Sequence, residues 1–105
     1  MPTLIFTYSP KSGVAWEEFQ RFLEEVDQPV TLSLPSTTSS RILQVLNEDA
    51  AFACLEILEI TSFEEWERDS KKPEVQKVVA MWPDYGDVAG LKAYNCREFY
   101  AGEAQ

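Results

Sequence analysis

Two carboxylates interrupt the most apolar stretch of this chain: Glu56 and Glu59 lie within Ala53-Cys54-Leu55-Glu56-Ile57-Leu58-Glu59-Ile60. A carboxylate in such surroundings must be paired, exposed at an edge, or raised in pKa by desolvation. The last condition suits a general acid or base, so Glu56 and Glu59 are the candidate catalytic residues. Each also has a structural reading as a paired or edge-exposed side chain, and the sequence leaves both readings standing. Trp66 and Trp82 recur on the inward faces of two helical segments, either as core or as pocket walls against a flat aromatic ligand. Tyr85, in the loop from Pro83 to Asp87, is a candidate for the pocket entrance. Lys92 and Tyr94 share one face of the last extended segment with Cys96 and are further pocket candidates. Arg41 is either a counter-ion for a carboxylate ligand or an exposed cation.

The available chemistry is bounded by what is missing. The chain has no histidine, which excludes Ser-His-Asp and Cys-His catalysis, imidazole-ligated haem, and the His-rich zinc and iron sites. Its four glycines, Gly13, Gly86, Gly90 and Gly102, are scattered and form no phosphate-cradling loop. Glu17, Glu18, Glu24 and Glu25 read as the wet face of a helix rather than a metal cluster. Neither a metal nor a cofactor is expected. Cys54 and Cys96 lack any paired-ligand spacing and read as buried reduced thiols. A net charge of -9 and a pI near 4.4 oppose binding to nucleic acid or to anionic membranes. No basic leader and no apolar run of about 18 residues is present, so a cytoplasmic protein is expected.

The elements that must position these side chains can be read from periodicity. Thr3 to Tyr8 is β-branched and aromatic, a strand ended by Ser9-Pro10-Lys11-Ser12-Gly13. Trp16, Phe19, Phe22, Leu23 and Val26 recur at helical spacing, predicting a helix over 14–26. Gln28-Pro29 then suggests a break, with a strand at Val30 to Leu34, a polar loop or bulge at Pro35 to Ser40, and extended chain again from Arg41 to Leu46. A third strand is expected from Phe52 to Thr61. One of its faces holds Phe52, Cys54, Glu56, Leu58 and Ile60, the other Ala53, Leu55, Ile57, Glu59 and Thr61, so both are mostly apolar. Helices must cover one side, and the economical cover for the other is the sheet of a second copy. Ser62-Phe63-Glu64-Glu65 matches a capping box. Pro73 suits a helix start, and Val75, Val78, Val79 and Trp82 give that helix one packing face. Val88 to Tyr100 reads as a last strand.

The order β-α-β-β-α-α-β over residues 1–105 describes one α+β, ferredoxin-like domain, an antiparallel sheet with helices on one face. At this length a domain buries only about 60 to 65% of its unfolded surface, and a partner subunit would add to that. The strand joined to Ser62-Phe63-Glu64-Glu65-Trp66 and then Pro73-Glu74-Val75 resembles the dimeric α+β barrel superfamily, and within it the RedY-like proteins of prodiginine pigment biosynthesis. The resemblance implies a homodimer pairing as a dimeric α+β barrel, with a pocket between each sheet and its helices. Some members are monooxygenases that use no metal or flavin, and others degrade haem with a Trp, an axial His and a first-strand Asn. Here Trp66 matches that Trp, but no His follows and the first strand offers Thr7 and Tyr8, which removes the haem reading and adds Thr7 to the pocket candidates. The expected role is a small tailoring protein of natural-product biosynthesis that binds a flat aromatic intermediate, with carboxylate acid/base catalysis. A cofactor-independent monooxygenase and a noncatalytic ligand-binding or accessory dimer are the alternatives.

Overall fold

The computed structural model of the chain describes residues 2–105. Four antiparallel strands, β1 Pro2–Tyr8, β2 Thr37–Gln44, β3 Cys54–Ile60 and β4 Lys92–Arg97, form a sheet in the order β2-β3-β1-β4. The helices are α1 Trp16–Phe22, α2 Gln28–Ser33, α3 Phe63–Asp69 and α4 Pro73–Met81. This is the expected ferredoxin-like arrangement. One sheet with one helical layer gives a flat molecule, 39 × 39 × 22 Å.

Strand alternation decides which residues go inward. On β3, Cys54, Glu56, Leu58 and Ile60 are buried while Leu55, Ile57 and Glu59 are only half-buried. Cross-strand partners share a face, so the pairings Phe6↔Glu56, Leu4↔Leu58 and Tyr8↔Cys54 put Leu4, Phe6 and Tyr8 under the helices with Glu56. Beneath the helices one cluster joins Tyr8, Phe19, Phe22, Leu23, Cys54 and Val78, and another joins Leu4, Leu58 and Ile60 to Phe63 and Trp66. The opposite face, with Ile5, Leu55, Ile57 and Tyr94, carries no helices.

One expected element is wrong. Residues 30–34 are not a strand: helix continues from α1 through a π turn, Leu23–Asp27, into α2. Val30, Thr31 and Pro29 argue locally against a helix, but Pro29 lies just past the π turn, where the regular α pattern of backbone bonds is already interrupted. Thr31 Oγ1 donates to the Asp27 carbonyl at 3.0 Å and Ser33 Oγ to the Val30 carbonyl at 2.6 Å, tying the short helix to its own backbone. The second strand consequently begins at Thr37, inside the expected loop, with a bulge between Thr37 and Ser39. The last strand is also shorter than expected, because β4 pairs only with β1 and that ladder ends at Pro2↔Arg97.

The two later helix starts are as expected. Ser62 Oγ accepts the Glu65 N–H at 3.1 Å, although the Glu65 carboxylate takes the Ser62 hydroxyl proton at 3.0 Å rather than a backbone amide. Replacing Ser62 with Ala should destabilise the domain by about 1 kcal/mol and lower Tm by roughly 4 to 8 °C in a calorimetric scan; an unchanged Tm would mean that packing alone holds α3. At the other end of α3, buried Asp69 accepts the Ser36 N–H at 3.0 Å and lies 3.5 Å from Lys72 Nζ. Hydrogen bonding from Ser36, opposed by burial and aided by Lys72, holds the Asp69 carboxyl below its usual range, and the Ser36 N–H bond pins α3 to the turn before β2.

Candidate functional site

Between sheet and helices lies a cavity of about 370 Å³, within the range of small-molecule sites, roughly 300–1,000 Å³. Its walls include Phe6, Leu58, Trp66, Val75, Val78 and Trp82, and its polar side chains are Tyr8, Asp27, Thr31 and Glu56. Among the described residues no Lys or Arg lines it.

The floor is set by strand alternation. Glu56 is 6% exposed, and Tyr8 Oη donates to its Oε1 at 2.7 Å. Burial pushes the Glu56 carboxyl up to about 7; the Tyr8 hydrogen bond opposes this, the nearby Asp27 charge adds to it and Gln28 opposes it. A group poised there exists in both protonation states near neutrality, as proton transfer requires. Tyr8 is itself pushed well above the usual phenol range, by burial first and then by Glu56, and stays a donor. Burial, with Glu56 nearby, likewise pushes the Cys54 thiol up to about 11, which keeps it protonated.

The second carboxylate comes from the π turn. The Gln28 N–H bonds to the Leu23 carbonyl five residues back, a one-residue widening of the kind often found at functional sites, and it ends on Asp27. Trp82 Nε1 donates to Asp27 Oδ2 at 2.9 Å. Gln28 Nε2 donates to Asp27 Oδ1 at 2.9 Å and reaches Glu56 Oε2 at 3.4 Å, while Gln28 Oε1 accepts from Ser40 Oγ at 2.7 Å. Burial raises the Asp27 pKa, opposed by the hydrogen bonds from Trp82, Gln28 and Thr31. One continuous network thus runs Trp82, Asp27, Gln28, Glu56, Tyr8.

Trp82 is held by aromatic neighbours. Its ring meets Tyr8 at 5.0 Å, Phe19 at 5.7 Å and Phe22 at 6.3 Å, all edge-to-face. Its six-membered ring lies where a Cβ on residue 86 would project, so only Gly86 fits there. Tyr85 stacks on Phe22, centroids 4.3 Å apart, and packs behind this wall rather than lining the cavity.

Of the candidates named from sequence, the structure brings Glu56, Trp66 and Trp82 to the cavity. It does not bring Glu59, Thr7, Lys92 or Tyr94 there. Thr7 pairs with both Leu55 and Lys92, and Tyr94 with Ile5, all on the sheet face away from the helices. Glu59 is on that face too, accepting from Ser39 Oγ at 3.0 Å, and Arg41 pairs with Ile57 beside it. The physical reason is the two-residue period of a strand: Thr7 and Tyr8 cannot share a face, nor can Glu56 and Glu59. The sequence reading missed Tyr8, Asp27 and Gln28 as site residues. Tyr8 was signalled by its alternation with Leu4 and Phe6. Asp27 and Gln28 were hidden by the expected break at Pro29.

Among the described residues no group of three or more His, Cys, Asp or Glu side chains is placed to hold a metal, and no helix is long and apolar enough to cross a membrane.

A family model described as REDY-like protein HapK matches residues 2–94. Among solved structures the chain is similar to HapK from Hahella chejuensis, with TM-score 0.79 and 19% identity over 100% of this chain and 99% of that one. It is similar to SnoaB, a cofactor-independent oxygenase from Streptomyces nogalater, with TM-score 0.76 and 11% identity over 95% and 94%. A dimeric protein of unknown function and ferredoxin-like fold from Bacteroides fragilis gives TM-score 0.70 and 10% identity over 92% and 95%. At these identities the structural likeness is one of fold. No curated protein matches the sequence.

Proposed function

We infer the function from a premise that the family match supplies: this chain belongs to the REDY-like protein HapK family. It is a small cytoplasmic tailoring protein of natural-product biosynthesis, of the prodiginine or a similar pyrrole- or indole-derived class. It binds a flat aromatic intermediate between sheet and helices and moves a proton on it. The observation that carries this reading is Glu56, buried on the floor of an apolar cavity with its carboxyl pushed up to about 7.

In this mechanism the ring lies against Trp66, Trp82 and the valines of α4, and Glu56 Oε2 faces an atom next to an imine or carbonyl. Tyr8 holds the other oxygen. Glu56 takes a proton from one ligand atom and returns it at another, so the product is a tautomer and no oxidant or reductant is consumed. Glu56→Gln tests it: turnover lost at saturating ligand supports catalysis. Unchanged pathway output from Glu56→Gln and Glu59→Gln alike would sink the acid/base role and leave a noncatalytic binding protein.

The fold likeness to a cofactor-independent oxygenase favours a second reading. The same deprotonation leaves an electron-rich anion, and the ligand itself then supplies the electrons that reduce oxygen. Oxygen uptake during turnover distinguishes the two.

The helix-free sheet face is proposed as a homodimer contact, with Thr7, Glu59, Lys92 and Tyr94 facing the second copy. Tyr94 is 49% and Leu43 47% exposed there, beside Ile5, Leu55 and Ile57, an apolar patch of the sort that marks an interface. In sedimentation at micromolar concentration the chain should run as a dimer and Ile57→Lys as a monomer; a stable wild-type monomer would overturn the proposal.

A further inference from the structure

We propose that the cavity selects planar ligands carrying a positively charged, hydrogen-bond-donating nitrogen, such as an amidinium or a protonated cyclic imine, and rejects carboxylates. This deepens the proposed function and rests on its reading of the cavity as an aromatic-ligand site. Donors and acceptors on the cavity floor are unequally spent. Each polar hydrogen on the floor is already given away within the protein: Tyr8 Oη to Glu56, Trp82 Nε1 to Asp27, Gln28 Nε2 to Asp27 and Glu56, and Thr31 Oγ1 to the Asp27 carbonyl. With Glu56 ionised, a ligand oxygen finds no free donor there.

Acceptors are in surplus. An ionised carboxylate has about four lone-pair sites, and Glu56 uses one well, at 2.7 Å, and another weakly, at 3.4 Å. Asp27 supplies a second negative charge one amide away. The charge is not balanced from within: among the described residues no Lys or Arg lines the cavity, and Arg41 and Lys92 lie on the far face of the sheet. A third carboxylate would add like charge in an apolar enclosure, whereas a cationic N–H completes the open acceptors with charge-assisted bonds. The overall charge of -9 also raises the local concentration of cations.

A matched set of probes tests this: 2-naphthamidine, 2-naphthamide and 2-naphthoate, which share a ring system and differ in charge. Binding to the full chain is followed by tryptophan fluorescence and calorimetry at about pH 8 in roughly 0.15 M salt, where surface fields are screened. The amidine should bind about thirtyfold or more tighter than the naphthoate, with the neutral amide between them. Glu56→Gln should weaken the amidine about tenfold and leave the amide nearly unchanged. Naphthoate binding as tightly as the amidine would overturn the selectivity while leaving an aromatic-ligand cavity standing. A preference for the amidine undiminished in Glu56→Gln would remove the floor carboxylate as its source and also overturn the proposal. If none of the three binds, the underlying reading of the cavity falls with it.

Discussion

Glu56→Gln is expected to abolish turnover, by about 10²- to 10⁴-fold, the usual contribution of a positioned acid or base, while leaving the fold intact and, near pH 8, more stable. The catalytic part follows from loss of the exchangeable proton. Wild-type kcat/KM should rise about tenfold per pH unit as Glu56 ionises and level off above about 7; the variant should lack that limb. The stability part has the opposite dependence. An acid whose folded pKa is raised binds more protons folded than unfolded in the interval between the two values, so stability falls as pH rises through it. For Glu56 the interval runs from 4.5 to about 7, and the loss amounts to about 3 kcal/mol. Asp27, also raised, tilts the profile the same way. The glutamine introduced by Glu56→Gln can still accept from Tyr8 and carries no charge to bury, so urea midpoints measured from pH 4 to 8 should show a shallower fall for the variant. Parallel profiles would mean that Glu56 binds its proton equally well folded and unfolded.

Trp82→Ala is expected to have the largest effect on stability, about 4 to 8 kcal/mol, set by removal of a large, closely packed aromatic side chain, about 3 to 5 kcal/mol, and by an Asp27 carboxylate left short of its indole donor, about 1 to 3 kcal/mol. Domains of this size have only about 5 to 15 kcal/mol in total, so the variant should sit near its unfolding midpoint at room temperature. Trp82→Phe separates the two contributions. It keeps an aromatic ring facing Tyr8, Phe19 and Phe22, loses the N–H and a smaller part of the packed volume, and should cost about 1 to 3 kcal/mol for the hydrogen bond plus a packing loss well below that of Ala. Because the Trp82 hydrogen bond opposes the rise in the Asp27 pKa, that pKa should move higher in Trp82→Phe, visible in a carboxyl-resolved NMR titration. Equal losses from Ala and Phe would show that the hydrogen bond, and not the ring, matters.

The frame of the molecule was legible because its signals are periodic and redundant. The two-faced β3, the Ser62 cap and the Pro73 start each point to the same two-layer sheet. Helix α2 was not legible, since Val30, Thr31 and Pro29 each favour other conformations in isolation, and tertiary packing overrides a weak local preference. The longer-range pattern did run on, from Phe19, Phe22, Leu23 and Val26 to Val30 and Leu34 at helical spacing. Following it would have exposed Asp27. In the site, composition correctly singled out Glu56 as an awkward carboxylate but could not distinguish it from Glu59. Alternation puts the two on opposite faces, but which face lies under the helices depends on register, the pairing of Phe6 with Glu56 rather than with either neighbour, and one strand read alone does not contain that. The Glu56 partner Tyr8 lies 48 residues away in sequence, beyond the reach of any spacing rule.

The π turn over Leu23–Asp27 acts as a phase shifter for the chain that follows it. Each residue of an α-helix turns it by about 100°, so the extra residue sets the whole of Gln28–Ser33 back by about that angle relative to an unbroken helix. Asp27 and Gln28 thereby point at the sheet, while Glu24 and Glu25, only a few positions earlier, remain in water. The location of the cavity's second carboxylate is encoded in residue count as much as in residue type. Along this helix, deleting a single residue between Leu23 and Val26 would leave each site side chain in the chain yet aim it elsewhere, a change more consequential than most substitutions there.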